Sequence, residues 1–202
     1  MIANRPRHYG KRAFLAICTA ASLARAEGPP DPGWRLMLVP SFERPAQHER
    51  IPGSETAIIA AAREIDYGGL EYATTRGAWR RARETAREQG DDWLSGANIE
   101  FLRDKKRVVK RILITGDGTL TMALPMTPAF YRRFEPILGD GFYVVVPDRT
   151  TIALYPRLAG GIPAAEAAML LEKHHMAVHP VSREVFRATR DGIRAEGVLT
   201  DE

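Results

Sequence analysis

Four arginines, Arg76, Arg80, Arg83 and Arg87, recur at spacings of four, three and four residues, so on a helix they share one face. Such a stripe suits phosphate or an acidic polymer as a partner. Glu84 and Glu88 interrupt it, and Arg80 to Glu84 is a helical ion-pair spacing, so a solvated charged face is the plainer role. A second constellation is Glu172, His175 and His179. The first two lie three residues apart on a helical pattern and could face one metal, with His179 as a third ligand. Pro180 interrupts that geometry, and imidazoles at a helix C-terminus have the plainer role of facing the negative end of the dipole. The third set is the turn Pro147-Asp148-Arg149-Thr150, where Arg149 could clamp a substrate or pair with Asp148 or a helix end.

Beyond these three sets the chain carries no recognised catalytic motif. There is no G-x-S-x-G elbow, no P-loop and no G-x-G-x-x-G, and Gly116-Asp117-Gly118 is read as a turn between strands. Ser182 is accounted for as the N-cap of a helix over 183–189. Asp117, Asp140 and Asp148 all lie in Gly-rich or Pro-bounded turns, where Asp bonds to its own backbone. No cofactor is implied.

The elements that must position these residues are clearest between Arg107 and Arg157. Val108 to Thr115 is rich in β-branched residues, and Thr119-Leu120-Thr121-Met122-Ala123-Leu124 alternates in period two, so the spacing predicts a hairpin closed by Gly116-Asp117-Gly118. Phe142 to Val146 and Thr151 to Tyr155 predict a second pair across the Pro147 turn. Between the pairs, Thr127 and Pro128 read as N-cap and first residue of a short helix that Pro136 breaks. The basic run Arg103, Lys105, Lys106, Arg107, Lys110 and Arg111 marks a charged turn.

Earlier in the chain, residues 1–26 hold Arg5, Arg7, Lys11, Arg12 and Arg25 but no acid, then an uncharged run from Ala13 to Ala24 and the small-residue site Ala24-Arg25-Ala26. This is the order of a secretory signal peptide, and an organellar transit peptide or an amphipathic helix shares its composition. Removing those five basic residues from the 29 Lys and Arg leaves 24 against 25 Asp and Glu, a nearly neutral body that disfavours a globally basic nucleic-acid binder. Cys18, the one cysteine, falls in the leader, so a body without it offers no thiol nucleophile and no Cys-ligated metal. No run is long and apolar enough to cross a bilayer.

Residues 27–53 are proline-rich and read as a linker with one strand at Trp34 to Val39. Ser54 with Glu55 is read as opening a helix through Ala57, Ile58, Ala61, Ala62 and Ile65, and a second helix runs from Arg76 to Gln89 with Gly90 as its C-cap. Pro163 starts a third, through Leu171 to His175. The expectation is therefore a single α+β domain over 54–202, helical over 54–90 and sheet-containing over 98–202. Its sheet is antiparallel or mixed, of about four to five strands, with helices packed on one face.

The run Val146-Pro147-Asp148-Arg149 between two strands, followed by a helix leading into His179-Pro180-Val181-Ser182, resembles the C-terminal part of the YtpQ-like bacterial proteins over roughly the last half of the chain. That family has no established activity. The resemblance implies a mixed α/β fold and carries over no catalytic residue. The function expected is an exported, periplasmic or secreted binding or accessory module of the bacterial envelope, with a protein or an anionic small molecule as partner. The alternatives are an enzyme with a site built from turns around Asp148, Arg149 and His179, or a cytoplasmic protein that binds an anionic partner through the arginine stripe.

Overall fold

The computed structural model describes residues 33–200 apart from Asp117, and the side chains of Tyr67 and Ala159 are also left undescribed. The leader over 1–26, with Cys18, lies outside the described residues. Among those residues the α+β class holds, with the strands divided between two antiparallel sheets.

The first sheet is built on one long strand. β1 (Arg35–Pro40), the strand expected within the proline-rich stretch, runs antiparallel along β3 (Ala57–Ile65) from Arg35↔Ala62 to Pro40↔Ala57. β2 (Glu49–Arg50) and β4 (Gly69–Tyr72) share the opposite edge of β3, at Ile58–Ile59 and at Ala62–Ile65 respectively. β3 is the segment whose sequence reads as a helix. Ala57, Ile58, Ala60, Ala61 and Ala62 are all buried, so both faces are covered and the small side chains let neighbours approach from each side. That burial outweighs the helix preference of alanine. Ser54 does accept the Ala57 N–H (3.1 Å), the bond of a helix cap, but the chain leaves it extended.

α1 (Arg76–Gly96) continues well past the expected end at Gly90. Its stripe of Ala82, Ala86, Gly90, Trp93 and Leu94 is buried, and the helix packs on β1 and on α3 (Pro128–Leu138). Gly90 is a crossing point instead of a C-cap: a Cβ there would lie 2.9 Å from the Thr127 Cβ and 3.1 Å from the Ala129 Cβ. α3 starts as its sequence indicates, with Thr127 accepting the Phe130 N–H (3.2 Å). It runs two residues beyond Pro136 because the proline removes only the bond to the Arg132 carbonyl, and Arg132 and Pro136 lie on the exposed side where water can serve that carbonyl; Gly139, at φ 84°, donates to the Glu135 carbonyl to close the helix.

The second sheet has the order β10-β9-β7-β8-β6-β5. It comprises β5 (Asn98–Arg103), β6 (Val109–Thr115), β7 (Tyr143–Asp148), β8 (Thr151–Tyr155), β9 (Glu184–Thr189) and β10 (Gly192–Val198). The β7–β8 pair forms across the Pro147 turn as expected. β6 pairs instead with β5, through the turn at Asp104, whose carboxylate accepts the N–H groups of Lys106 (2.8 Å) and Val108 (2.9 Å). The basic run is thus a charged turn. The expected partner, Thr119 to Leu124, lies mostly in α2 (Gly118–Ala123), with Leu124 opening the following helical turn. Thr119, Thr121, Met122, Ala123 and Leu124 are all buried, so alternation in size carries no face preference, and six residues are too few to separate the two periods. The segment after Ser182 is likewise β9 and not a helix: Glu184, Phe186 and Ala188 alternate into the core, and Ser182 accepts the Glu184 N–H (3.0 Å) in a local turn.

Even-numbered residues of the central strands, Ile112, Ile114, Val144, Val146, Ile152, Leu154 and Phe186, face one core with Met37, Ala60, Met122 and Phe134. Odd-numbered ones, Val145, Ala153 and Tyr155, meet Leu170 and Leu171 of α4 (Ala164–Met176) on the other face. Arg111 and Tyr155 both bond to Glu166 there.

One buried carboxylate joins the two sheets. Glu184, 2 % exposed at the start of β9, accepts Ser54 Oγ (2.6 Å) and the N–H groups of Glu55 (2.7 Å) and Thr56 (3.2 Å), the turn between β2 and β3. Burial alone would raise its pKa, but the bonds from Ser54, Glu55 and Thr56 outweigh it and hold the group below the ordinary 4.5. The unfolded chain therefore binds more protons than the folded one as pH falls below about 4.5, so this stability is present above that pH and is lost on acidification through the folded pKa. Glu184→Gln should cost about 1–3 kcal/mol at neutral pH, because a neutral amide oxygen accepts more weakly from Glu55 and Thr56 and the N–H₂ replaces the acceptor that takes the Ser54 and Ser182 hydroxyls, and should flatten the acid limb. Urea unfolding of both forms between neutral pH and the acid limb checks this. Gly90→Ala should cost about 1–3 kcal/mol in the same assay, overpacking at Thr127 exceeding the gain in helix propensity.

Candidate functional site

Thr75 caps α1, accepting the Ala78 N–H (3.3 Å), and the buried alanine stripe fixes the helix rotation. The arginine face is set by that rotation. It is split by the fold: Arg83 and Arg87 line a cavity of about 340 Å³, whereas Arg76 lines a neighbouring depression of about 580 Å³ with Gln47, His48 and Trp79. Arg80 is exposed and lines neither.

The cavity lies where α1, the first sheet, the start of α3 and the β9–β10 turn meet. Its floor is apolar, with Leu36 and Ile59 from the sheet, Met126 and Phe130 near α3, and Ile193 from β10. Its cations are Arg83, Arg87 and Arg190, and its acids are Glu49 and Asp191. Arg83 is committed: it donates to Glu49 (2.6 Å) and lies 5.8 Å from the Trp79 ring centroid. The side chains of Arg87 and Arg190 form no ion pair or hydrogen bond among the described residues. Two unpaired guanidinium groups beside an apolar floor give the site a positive potential that nearby low-dielectric surface reinforces. Tyr131, which also lines the cavity, gives its hydroxyl to Asp140 (2.8 Å), and that bond raises its pKa.

Asp148, Arg149 and His179 are brought together, but by backbone and in structural roles. The Arg149 N–H donates to the His179 carbonyl (3.3 Å), and Asp148 bridges to Pro180. The buried Asp148 carboxylate accepts the Thr150 N–H (2.6 Å) and hydroxyl (2.7 Å). The Arg149 side chain, 12 % exposed, crosses to the first sheet, donating to the Gly68 carbonyl (2.8 Å) and approaching Glu43 (3.8 Å). Tyr72, beside Glu43 and Arg149, has its pKa pushed up to about 12 by burial and then by Glu43, so its hydroxyl stays protonated. None of Asp148, Arg149 and His179 lines the cavities described here.

Glu172 and His175 share a shallow groove along α4 with Ala164, Ala168, Leu171 and Met176, and His179 does not line it. Among the described residues no three His, Asp or Glu side chains converge as metal ligands. The pKa of His174 is lowered by burial and by the neighbouring His175 and Arg183. No helix of the described residues is long and apolar enough to cross a membrane.

Arg190, half of the unpaired cation pair, carries no signal in sequence: a lone arginine before Asp191 reads as a turn residue, and only the β9–β10 hairpin brings it to α1. No protein-family model, curated protein or solved structure matches the chain. Arg149→Ala should lower stability by about 1–3 kcal/mol through loss of the bond to Gly68, measured by urea unfolding, and leave ligand affinity at the α1 cavity unchanged.

Proposed function

We propose that this chain is a non-enzymatic binding module that takes an anionic ligand with an apolar body into the cavity between α1 and α3. The observation that carries this reading is the pair Arg87 and Arg190, without an ion pair or hydrogen bond among the described residues and beside the floor of Leu36, Ile59, Met126 and Phe130. A guanidinium offers a planar fork to carboxylate, sulfonate or phosphate, and an apolar group of about 100 Å² removed from water adds about 2–3 kcal/mol. The two contributions act on different parts of one ligand, so the site selects amphiphilic anions over inorganic ones. The enzyme reading around Asp148, Arg149 and His179 is less favoured because the side chains of Asp148 and Arg149 are already engaged by Thr150, Gly68 and Glu43, and none of the three lines a cavity described above. The bacterial envelope as the place of action belongs to the same proposal and rests on the composition of residues 1–26.

Titration with anilinonaphthalene sulfonate, followed by fluorescence and competed with decanoate, tests the reading. Arg87→Ala with Arg190→Ala should weaken binding by about tenfold, and Arg80→Ala, on the same helix but outside the cavity, should leave it unchanged. Equal affinity in the double variant and the wild type would overturn it.

A further inference from the structure

The cavity does not end at α1. Glu49 and Arg83 line both it and the depression holding Arg76, and His48 lines that depression and a third of about 490 Å³ that also holds Arg44, Arg50, Ser54 and Glu55. The three hollows therefore follow one another along the segment that contains β2. Their cations are all arginines, Arg44, Arg50, Arg76, Arg83, Arg87 and Arg190, against the acids Glu49, Glu55 and Asp191. Among the described residues the lysines lie elsewhere, at 105, 106 and 110 around the β5–β6 turn and at 173 on α4.

Among the described residues β2 is also a free edge: it pairs there with β3 alone, and both of its residues are exposed. Glu49 and Arg50 are consecutive in an extended strand, so their side chains point to opposite faces of the sheet. The Glu49 face carries Arg76 and Arg83, and the Arg50 face carries Arg44. A strand added beside β2 would send alternate side chains to these two faces and meet arginines on both.

Resting on the reading of the cavity given above, we propose that the ligand is an extended acidic segment of a partner protein, which adds as a strand along β2 and seats one apolar side chain in the cavity between α1 and α3. Main-chain hydrogen bonds to the open edge supply register, and the arginines select consecutive acidic residues. Single-stranded nucleic acid fits less well. Its bases need exposed aromatic faces, whereas the Trp79 ring lies under Arg83 and Phe130 is buried in the core.

The test uses the full chain and a fluorescent N-acetylated peptide of about ten residues, alternating runs of Glu and Asp around one Phe, measured by anisotropy. Arg44→Ala with Arg50→Ala should weaken peptide binding by about tenfold and leave anilinonaphthalene sulfonate binding unchanged, since neither residue lines the cavity. N-methylation of alternate peptide amides, against the wild-type protein, should weaken it by a similar factor, which charge attraction alone does not predict. Indifference to both changes, or equal affinity for oligothymidylate of the same charge, would overturn the strand-addition proposal while dye binding that depends on Arg87 and Arg190 still stood. Loss of that dependence marks failure of the cavity reading instead.

Discussion

The buried carboxylate of Glu184 is the constraint on which the rest of the arrangement depends. It opens β9 of the six-stranded sheet and receives Ser54, Glu55 and Thr56 from the turn between β2 and β3 of the other sheet. A buried carboxylate without those donors would be costly, so the turn and the strand hold each other in place. Both walls of the candidate groove hang from this contact. β2 precedes the turn, and β9 runs on to Thr189 and then Arg190. Ser182, which bonds Thr56 Oγ1 (3.0 Å) and lies 3.3 Å from the Glu184 carboxylate, extends the same network one residue pair further.

Small residues decide where space is left over. Ala57, Ala60, Ala61 and Ala62 allow β3 to be covered on both faces, and Gly90 allows α1 to touch the start of α3. Close approach at Gly90 fixes one end of the helix, and contact of Ala82 with Leu36 and Ala61 fixes the middle. Between these contacts the side chains of Met126, Phe130 and Ile193 do not fill the gap, and the cavity forms there. The site is a consequence of how backbones cross, which explains why its lining comes from four separate parts of the chain.

That origin also explains what could be read from sequence. β7, β8 and α3 were legible because each is bounded by its own turn or cap chemistry, Pro147 to Thr150 and Thr127 with Pro128. α1 was legible in type from the helical spacing of its arginines, and α4 from Pro163 at its start. β3 was not, because an alanine-rich strand buried on both faces has no alternation to display, and α2 was not, because a short segment buried at most of its positions imitates any period. Of the site, the helical arginine face was visible as a spacing, but its division was not. Arg80 and Arg83 differ by three residues, yet only Arg83 meets Glu49, a partner supplied by a two-residue strand with no sequence signature.

Arg83 shows why counting charges on a helix face falls short of locating a site. Its ion pair with Glu49 is half exposed at both ends, 54 % and 52 %, so the pair contributes little to stability. Its effect is on the field: it cancels one cation of the stripe and leaves Arg87, with Arg190 from another element, as cations without an ion-pair partner among the described residues, against Asp191 as the other acid of the cavity. It also makes the boundary between the cavity and the neighbouring depression out of an interaction that is cheap to open. A groove whose partition is a weak, solvent-screened contact can be one continuous surface for a ligand that offers carboxylates of its own, since exchange of Glu49 for a ligand carboxylate preserves the charge balance at Arg83.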